Sequence, residues 1–389
     1  MDTKRYRVFI LGAGFSKAAG FPLASELWAQ IRKRAQSLDG RAGKFRTDLE
    51  WYINYRRQCD GKELSEEDVD FEDFMRVLDI EHFLGLRGKD TWSVDGNEST
   101  VVVKTLIGEI LAELTPSPQD IPDLYLEFAR RLQPSDYVLT FNYDVLLERA
   151  LYAVDKPCRL FPDHYKFVQD NCVAVVDTSH EEVVVLKLHG SIDWFDRREF
   201  SELEENVRKR HGDSYRPEDP VFSHADTLGV NQLLKGLRAP GDPLDHMYCV
   251  QEIKSLYRKK LMFHATPWLL APSTMKIVYA EKLRDFWYGL GQGGSMNFGM
   301  AIIGYSLPPQ DDYARQAVYT LAKNYQEGDG WEKEVSGLQK SPLVIVDYCP
   351  DDESLRKFQD RYRFIDWQRA TLCTDGFNSE AIEAVFRTV

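Results

Sequence analysis

The stretch that most restricts the fold is RVFILGAGFSKAAGFP, residues 7–22. Val8-Phe9-Ile10-Leu11 is a short apolar run of the kind that forms a parallel strand buried on both faces. It stops at Gly12-Ala13-Gly14, and a helical pattern runs from about Ser16 to about Arg34. Strand, glycine turn and helix are the parts of a dinucleotide site. Glycines let the backbone turn sharply and approach a pyrophosphate, which then meets the N–H groups and positive end of the helix. The third glycine of G-x-G-x-x-G is missing, because Lys17 stands there and the next glycine is Gly20. A tight structural turn explains two glycines equally well, so the weight of the motif comes from the segments downstream.

Residues 39–132 read as a polar, mostly helical insertion after the first strand–helix unit. Phe71, Phe74, Met75 and Leu78 fall at helical spacing, Val101 to Leu114 is a second helical run, and Thr91 to Thr100 reads as a loop. The sheet resumes at Asp136-Tyr137-Val138-Leu139-Thr140, followed by Phe141-Asn142-Tyr143-Asp144 and a helix from Val145 to Val154. Strands are predicted at Val183–Leu188, Met300–Gly304 and, last, Leu343–Asp347. Helices are predicted at Lys276–Leu290 and Tyr313–Tyr325, with a break at Gly291-Gln292-Gly293-Gly294. Residues 193–265 are charged and weakly patterned, and read as an irregular segment. Five apolar strands therefore end in Gly12, Asn142, His189, Gly304 and Asp347. In an open parallel sheet, ligands sit beyond the carboxyl ends of the strands, so these groups are expected to converge. The fold expected is α/β: one domain over residues 1–389, built on a Rossmann-like parallel sheet.

Composition narrows the functions. The net charge of −13 excludes broad non-specific nucleic-acid binding, which needs a basic surface. The six cysteines form no C-x-x-C pair, so neither a zinc ribbon nor a dithiol centre is expected, and no metal is. The apolar runs are far too short to span a bilayer and the first residues lack a signal-peptide pattern, so a cytoplasmic location is expected. His82, His164, His180, His211, His224, His246 and His264 have no ligand-like spacing and read as structural or surface residues.

Four segments, in order, resemble the sirtuin family and its diverged bacterial NAD-hydrolysing branch. G-A-G-x-S followed by G-I-P is matched by Gly12-Ala13-Gly14-Phe15-Ser16 and Gly20-Phe21-Pro22. T-Q-N-x-D is matched by Thr140-Phe141-Asn142-Tyr143-Asp144, with the glutamine replaced. L-H-G is Leu188-His189-Gly190, and G-T-S appears as Gly304-Tyr305-Ser306 within G-Y-S-L-P-P, a run typical of the diverged branch. The family's four-cysteine zinc module, its V-W-F-G-E-like strand and the arginine after G-I-P-x-F are missing. Leu269 to Thr274 stands roughly where the strand would be, and Ala24-Ser25-Glu26 where the arginine would be. These departures argue against deacylation and leave the cofactor chemistry intact. The resemblance implies a sirtuin-like sheet, NAD as substrate and no metal. It also implies an antiviral, NAD-depleting role in a homo-oligomer, assembled with a HerA-like hexameric ATPase.

Hydrolysis of the nicotinamide–ribose bond expels a good leaving group through an oxocarbenium-like state. It asks for a distorted, desolvated ribose, a placed water and a base. His189 suits the base, since an imidazole titrates at about 6.5; the alternative is a core histidine bonded at a strand end. Asn142 can hold a ribose hydroxyl and the water, or can cap a helix starting at Tyr143. Asp144 corresponds to the family residue that orients the nicotinamide carboxamide, or is an acid in a helix's first turn. Ser16 and the N–H groups around Gly14 are expected to hold pyrophosphate, helped by Ser306. Gly12, Ala13, Gly20, Phe21, Pro22, Thr140, Gly304 and Tyr305 complete the cofactor contacts. Asp347 is placed to accept from the adenine ribose and to disfavour a 2′-phosphate, hence NADP. Asp311 and Asp312 read as a helix start. The expected activity is NAD glycohydrolysis to nicotinamide and ADP-ribose. An acyl- or ADP-ribosyl-transferase and a non-catalytic NAD sensor remain open. Because a free NAD hydrolase would kill its own cell, gating by assembly or partner is expected, with residues 39–132 or 193–265 as the contact surface.

Overall fold

Strand β1 (Arg7–Leu11) is buried along its whole length and becomes the centre of the molecule because both of its edges are taken. The structure is a computed structural model describing residues 7–38, 42–87, 96–161, 164–169, 174–239, 241–258, 266–271, 281–290, 297–331 and 339–387. On one side β1 pairs in parallel with β2 (Tyr137–Thr140). Beyond it lie β6 (Val183–Lys187) and, at the edge, β3 (Cys158–Arg159). On the other side lie β10 (Gly299–Ile303), β11 (Leu343–Val346) and β12 (Ala370–Cys373). Among the described residues this is a seven-stranded, all-parallel sheet of order β12-β11-β10-β1-β2-β6-β3. The chain winds outward from β1 through β2, then returns to the opposite edge with β10. The switch point of this Rossmann-like topology, where an open parallel sheet offers a crevice, therefore lies between β1 and β10.

Side chains alternate across the sheet. Phe9 and Leu11 enter one core, and Val8 and Ile10 the other. The first core is covered by α2 (Ala24–Ala35), α3 (Ala42–Asp60), α4 (Phe71–Leu84), α5 (Glu98–Leu114) and α6 (Asp123–Arg131), contributing Trp28, Phe45, Phe74 and Phe128 among others. Helix α4 starts where the Asp70 carboxylate accepts the N–H groups of Glu72 and Asp73. Among the described residues no helix is long and apolar enough to cross a membrane.

Several elements differ from the sequence expectation. The helix expected from Ser16 to Arg34 is two: α1 (Ala13–Ser16) runs into a 3₁₀ turn at Lys17–Ala19, and α2 begins only at Ala24. Gly20, at φ +86°, closes the first turn in the left-handed region, and Pro22 has no N–H to continue it. Helix α5 reaches back to Glu98 because Asn97 accepts from Thr100 N at 2.8 Å, so only the front of the expected loop can be loop; its residues 91–95 lie outside the described ones. Within 193–265 the chain is ordered where described. Strands β7 (Trp194–Asp196), β8 (Val230–Gln232) and β9 (Met247–Val250) form an antiparallel sheet, and a helix covers Arg198–His211. Strands of three or four residues are too short to imprint an alternating pattern. Of the helix expected at Lys276–Leu290, residues 276–280 lie outside the described ones, a 3₁₀ turn covers Glu281–Leu283 and a short α-helix covers Arg284–Trp287. The break at 291–294 also lies outside. After Leu343–Val346, the last clear strand in the sequence pattern, comes β12, which the pattern did not mark.

Candidate active site

The glycines after β1 meet protein, not open space. Gly12 N donates to Ile303 O at 3.0 Å and Gly14 N to Gly304 O at 2.9 Å. A Cβ on Gly12 would stand 2.5 Å from Gly304 O, and one on Gly304, at φ +61°, would stand 2.3 Å from Phe15 N. Two backbones thus touch across the switch point, and only glycine permits it. Leu307, just beyond, is held at φ +53°, a strained value for a branched side chain that is fully buried here.

On the β2 side the polar groups form a chain. Asn142 Nδ2 donates to Gly12 O at 2.9 Å and to Ser16 Oγ at 3.2 Å, and Ser16 Oγ donates to Asp144 Oδ2 at 2.8 Å. Thr140 Oγ1 accepts from Asn142 N at 3.1 Å. Asp144 Oδ1 accepts from Leu146 N at 3.0 Å in a turn that leads into α7 (Leu146–Ala153); the residue at the cap position is Val145, so Asn142 does not cap this helix. Burial pushes the Asp144 carboxyl above its ordinary range, opposed by the Lys187 charge and by the bonds from Leu146 and Ser16. Lys187 ends β6 almost wholly buried, bonding the Asp144 carbonyl and standing 2.8 Å from Glu148 Oε1. A lysine inside Val-Val-Val-Leu-Lys-Leu is the visible sequence signal for this support, and it carries no role in the expectations above.

On the β6 side His189 is 3% exposed, and its Nε2 lies 2.8 Å from Asp311 Oδ2. The other oxygen of Asp311 accepts from Ala314 N at 3.1 Å and caps the helix Asp312–Glu327. Reading Asp311 only as a helix start is therefore incomplete: one carboxylate does both tasks, because it has two oxygens. Asp312 is exposed and serves the helix alone. The His189 ring lies 5.0 Å from that of Phe141, which stacks on Tyr305 at 4.3 Å. The Tyr305 hydroxyl is buried and has no hydrogen-bond partner among the described residues, a condition that polar ligands or water ordinarily relieve. Backbone bonds from Ser191 N to Trp268 O and from Leu270 N to His189 O fix the histidine loop against residues 268–270. Residues 272–274 of the segment expected there lie outside the described ones.

The insertion supplies acids to which the sequence pattern assigned no role. Burial holds the Tyr143 phenol well above its ordinary value, and the charges of Glu72 and Asp79 of α4 and of Asp311 add to the shift. Burial also pushes the Asp79 carboxyl up to about 7, against the Lys104 charge. The site thus gathers buried carboxyl, amide, hydroxyl and imidazole groups at the carboxyl ends of β1, β2 and β6.

Other expected residues sit differently. Phe21 is part of the apolar core and Pro22 is buried, so both support the loop. Ala13, Gly20 and Ser306 are exposed. Asp347 comes after β11 beside the glycine loop, where Gly304 N donates to Val346 O at 2.7 Å; its carboxylate accepts from Tyr348 N, and burial raises it. His164, His180 and Glu182, which lack any ligand-like spacing, come together away from these groups. No protein-family model and no curated protein sequence matches this chain.

Proposed function

We propose that this chain is a sirtuin-like NAD glycohydrolase, cleaving NAD to nicotinamide and ADP-ribose. The observation that supports the reading is that Asn142 and His189 follow adjacent strands, beside the glycine loop of the switch point, among the buried carboxyls of Asp144 and Asp311. A carboxylate that stays ionised beside the ribose stabilises positive charge, and the ribose gains positive charge as its bond to nicotinamide breaks. That bond breaks with its electron pair going to the nicotinamide nitrogen. Water adds at the ribose carbon and gives its proton to His189. The Asp311 carboxylate, 2.8 Å from Nε2, stabilises the imidazolium that forms. Asn142 holds the ribose hydroxyl and the water; Asp144 orients the carboxamide.

The same geometry supports gating. Gly14 N–H and Ser16 O–H, the donors expected to hold pyrophosphate, are engaged by Gly304 and Asp144. Productive binding must take them over, and we assign that change to homo-oligomerisation and a HerA-like hexameric ATPase, with NAD depletion in antiviral defence as the outcome. Asp347 favours NAD over NADP. In the deciding experiment the full chain is incubated with NAD, alone and with the ATPase, and nicotinamide is followed by chromatography. Release lost in both His189→Ala and Asn142→Ala supports the hydrolase. NAD bound without release supports a sensor, and release that survives His189→Ala overturns the mechanism.

A further inference from the structure

The cluster apart from the strand-end site has the chemistry of a metal centre. His164 precedes β4 (Tyr165–Val168), His180 comes after β5 (Ala174–Val176), and Glu182 leads into β6. The two short strands form an antiparallel hairpin joined to neither larger sheet, and all three residues of β5 are exposed. A two-stranded hairpin is marginal in water unless something ties it down. At its feet Asp177 N donates to His164 O at 2.6 Å, and the imidazoles of His164 and His180 lie 4.1 Å apart at their ring centres. His164 Nε2 stands 2.7 Å from Glu182 Oε2. One ligand atom from each of the three residues lies within 4.8 Å of the others. For bonds of about 2.0–2.1 Å in a tetrahedron, ligand atoms are about 3.3 Å apart, so the observed spacing needs only small side-chain movements.

We propose that His164, His180 and Glu182 bind a divalent transition metal of the zinc type, pinning the hairpin to the central sheet. Two imidazoles and a carboxylate are the borderline donor set that such ions select over calcium or magnesium. Glu182 is the anchored member: its carbonyl accepts from Ser135 N at 3.0 Å, and it leads directly into buried β6. Asp177 Oδ2 lies 3.5 Å from His180 Nε2. With the other nitrogen of His180 on the ion, this carboxylate orients the ring, as outer-shell acids do for ligand histidines. Arg159 Nη1, 3.6 Å from Glu182 Oε2, competes for the carboxylate and sets a modest affinity. Water completes the coordination.

The test needs no NAD. Full-length protein is dialysed against Zn²⁺ and its metal content measured, beside His164→Ala, His180→Ala and, as a control, exposed His211→Ala. One Zn²⁺ per chain is expected, kept in the control and weakened at least about tenfold in both cluster variants. Absence of stoichiometric zinc, or zinc retained by both cluster variants, overturns the proposal. Should the variants fail to fold, Co²⁺ on the unaltered chain decides. The intense visible bands of a four-coordinate nitrogen–oxygen site support it, and the weak bands of a hexahydrate-like ion overturn it.

Discussion

The two ends of the central sheet bury charge in opposite ways. At the amino end, Arg7 of β1 meets Asp136 head-on: Nε donates to Oδ1 at 3.0 Å and Nη2 to Oδ2 at 2.6 Å. Gln133 N donates to the same carboxylate at 2.6 Å, and Arg131 O takes a further bond from Arg7. At the carboxyl end, Asp144 is held by a serine hydroxyl and a backbone N–H, Asp311 shares itself between a helix and a histidine, and Asp79 is held far above its ordinary range. A buried polar group that only supports the fold is matched by a partner of opposite charge. One that must act on something else is held by weaker, divisible partners, because a ligand has to compete for it.

The largest expected effect is at Asp311. On the proposed reading, both Asp311→Ala and Asp311→Asn should slow nicotinamide release about 10²–10⁴-fold. Only the alanine should cost stability, about 1 kcal/mol, because asparagine still caps the helix. Equal stability loss in the two variants with undiminished release would move Asp311 to the structural end of the comparison. Arg7→Ala comes next and should behave in the opposite way. Removing one partner of this buried pair should cost about 3–5 kcal/mol in urea unfolding, with release per folded chain unchanged. A loss below about 1 kcal/mol would end the contrast between the two ends.

A further effect is in the pH dependence. Asp79 has a folded-state value of about 7 against 3.8 when exposed, so between these values the folded chain holds a proton that the unfolded chain has released. Its contribution to stability therefore falls as pH rises through that window and levels off above it, by a few kcal/mol at most. In Asp79→Asn this part of the slope should vanish from unfolding midpoints measured between about pH 4 and pH 7. A slope identical to that of the unaltered chain would remove Asp79 from the comparison.

How much was legible depended on the length over which a signal is written. Buried parallel strands announce themselves locally, so β1, β2, β6, β10 and β11 were readable as apolar runs. Edge strand β12 and the strands of the small sheet are short and half polar, and were not. The break at Gly20-Phe21-Pro22 is also local, and a longer helix spans it in the sequence pattern only because the apolar spacing continues on the far side. The cap at Asp311 was legible in the same way. Its meeting with His189, far away in the chain, was not.

The sequence by itself determined an α/β chain with polar strand ends, a glycine turn after its first strand and a helical stretch before its second. Tertiary structure alone decided what those glycines are for: the order of the strands brings β10 beside β1, and the two loops touch backbone to backbone. It also decided which carboxylate stands against His189, that charges of α4 act on Tyr143, and that a hairpin gathers His164, His180 and Glu182. The physical reason is one of range. Propensity, periodicity and capping act over a few residues, whereas desolvation and charge pairing depend on neighbours that only the packed sheet supplies.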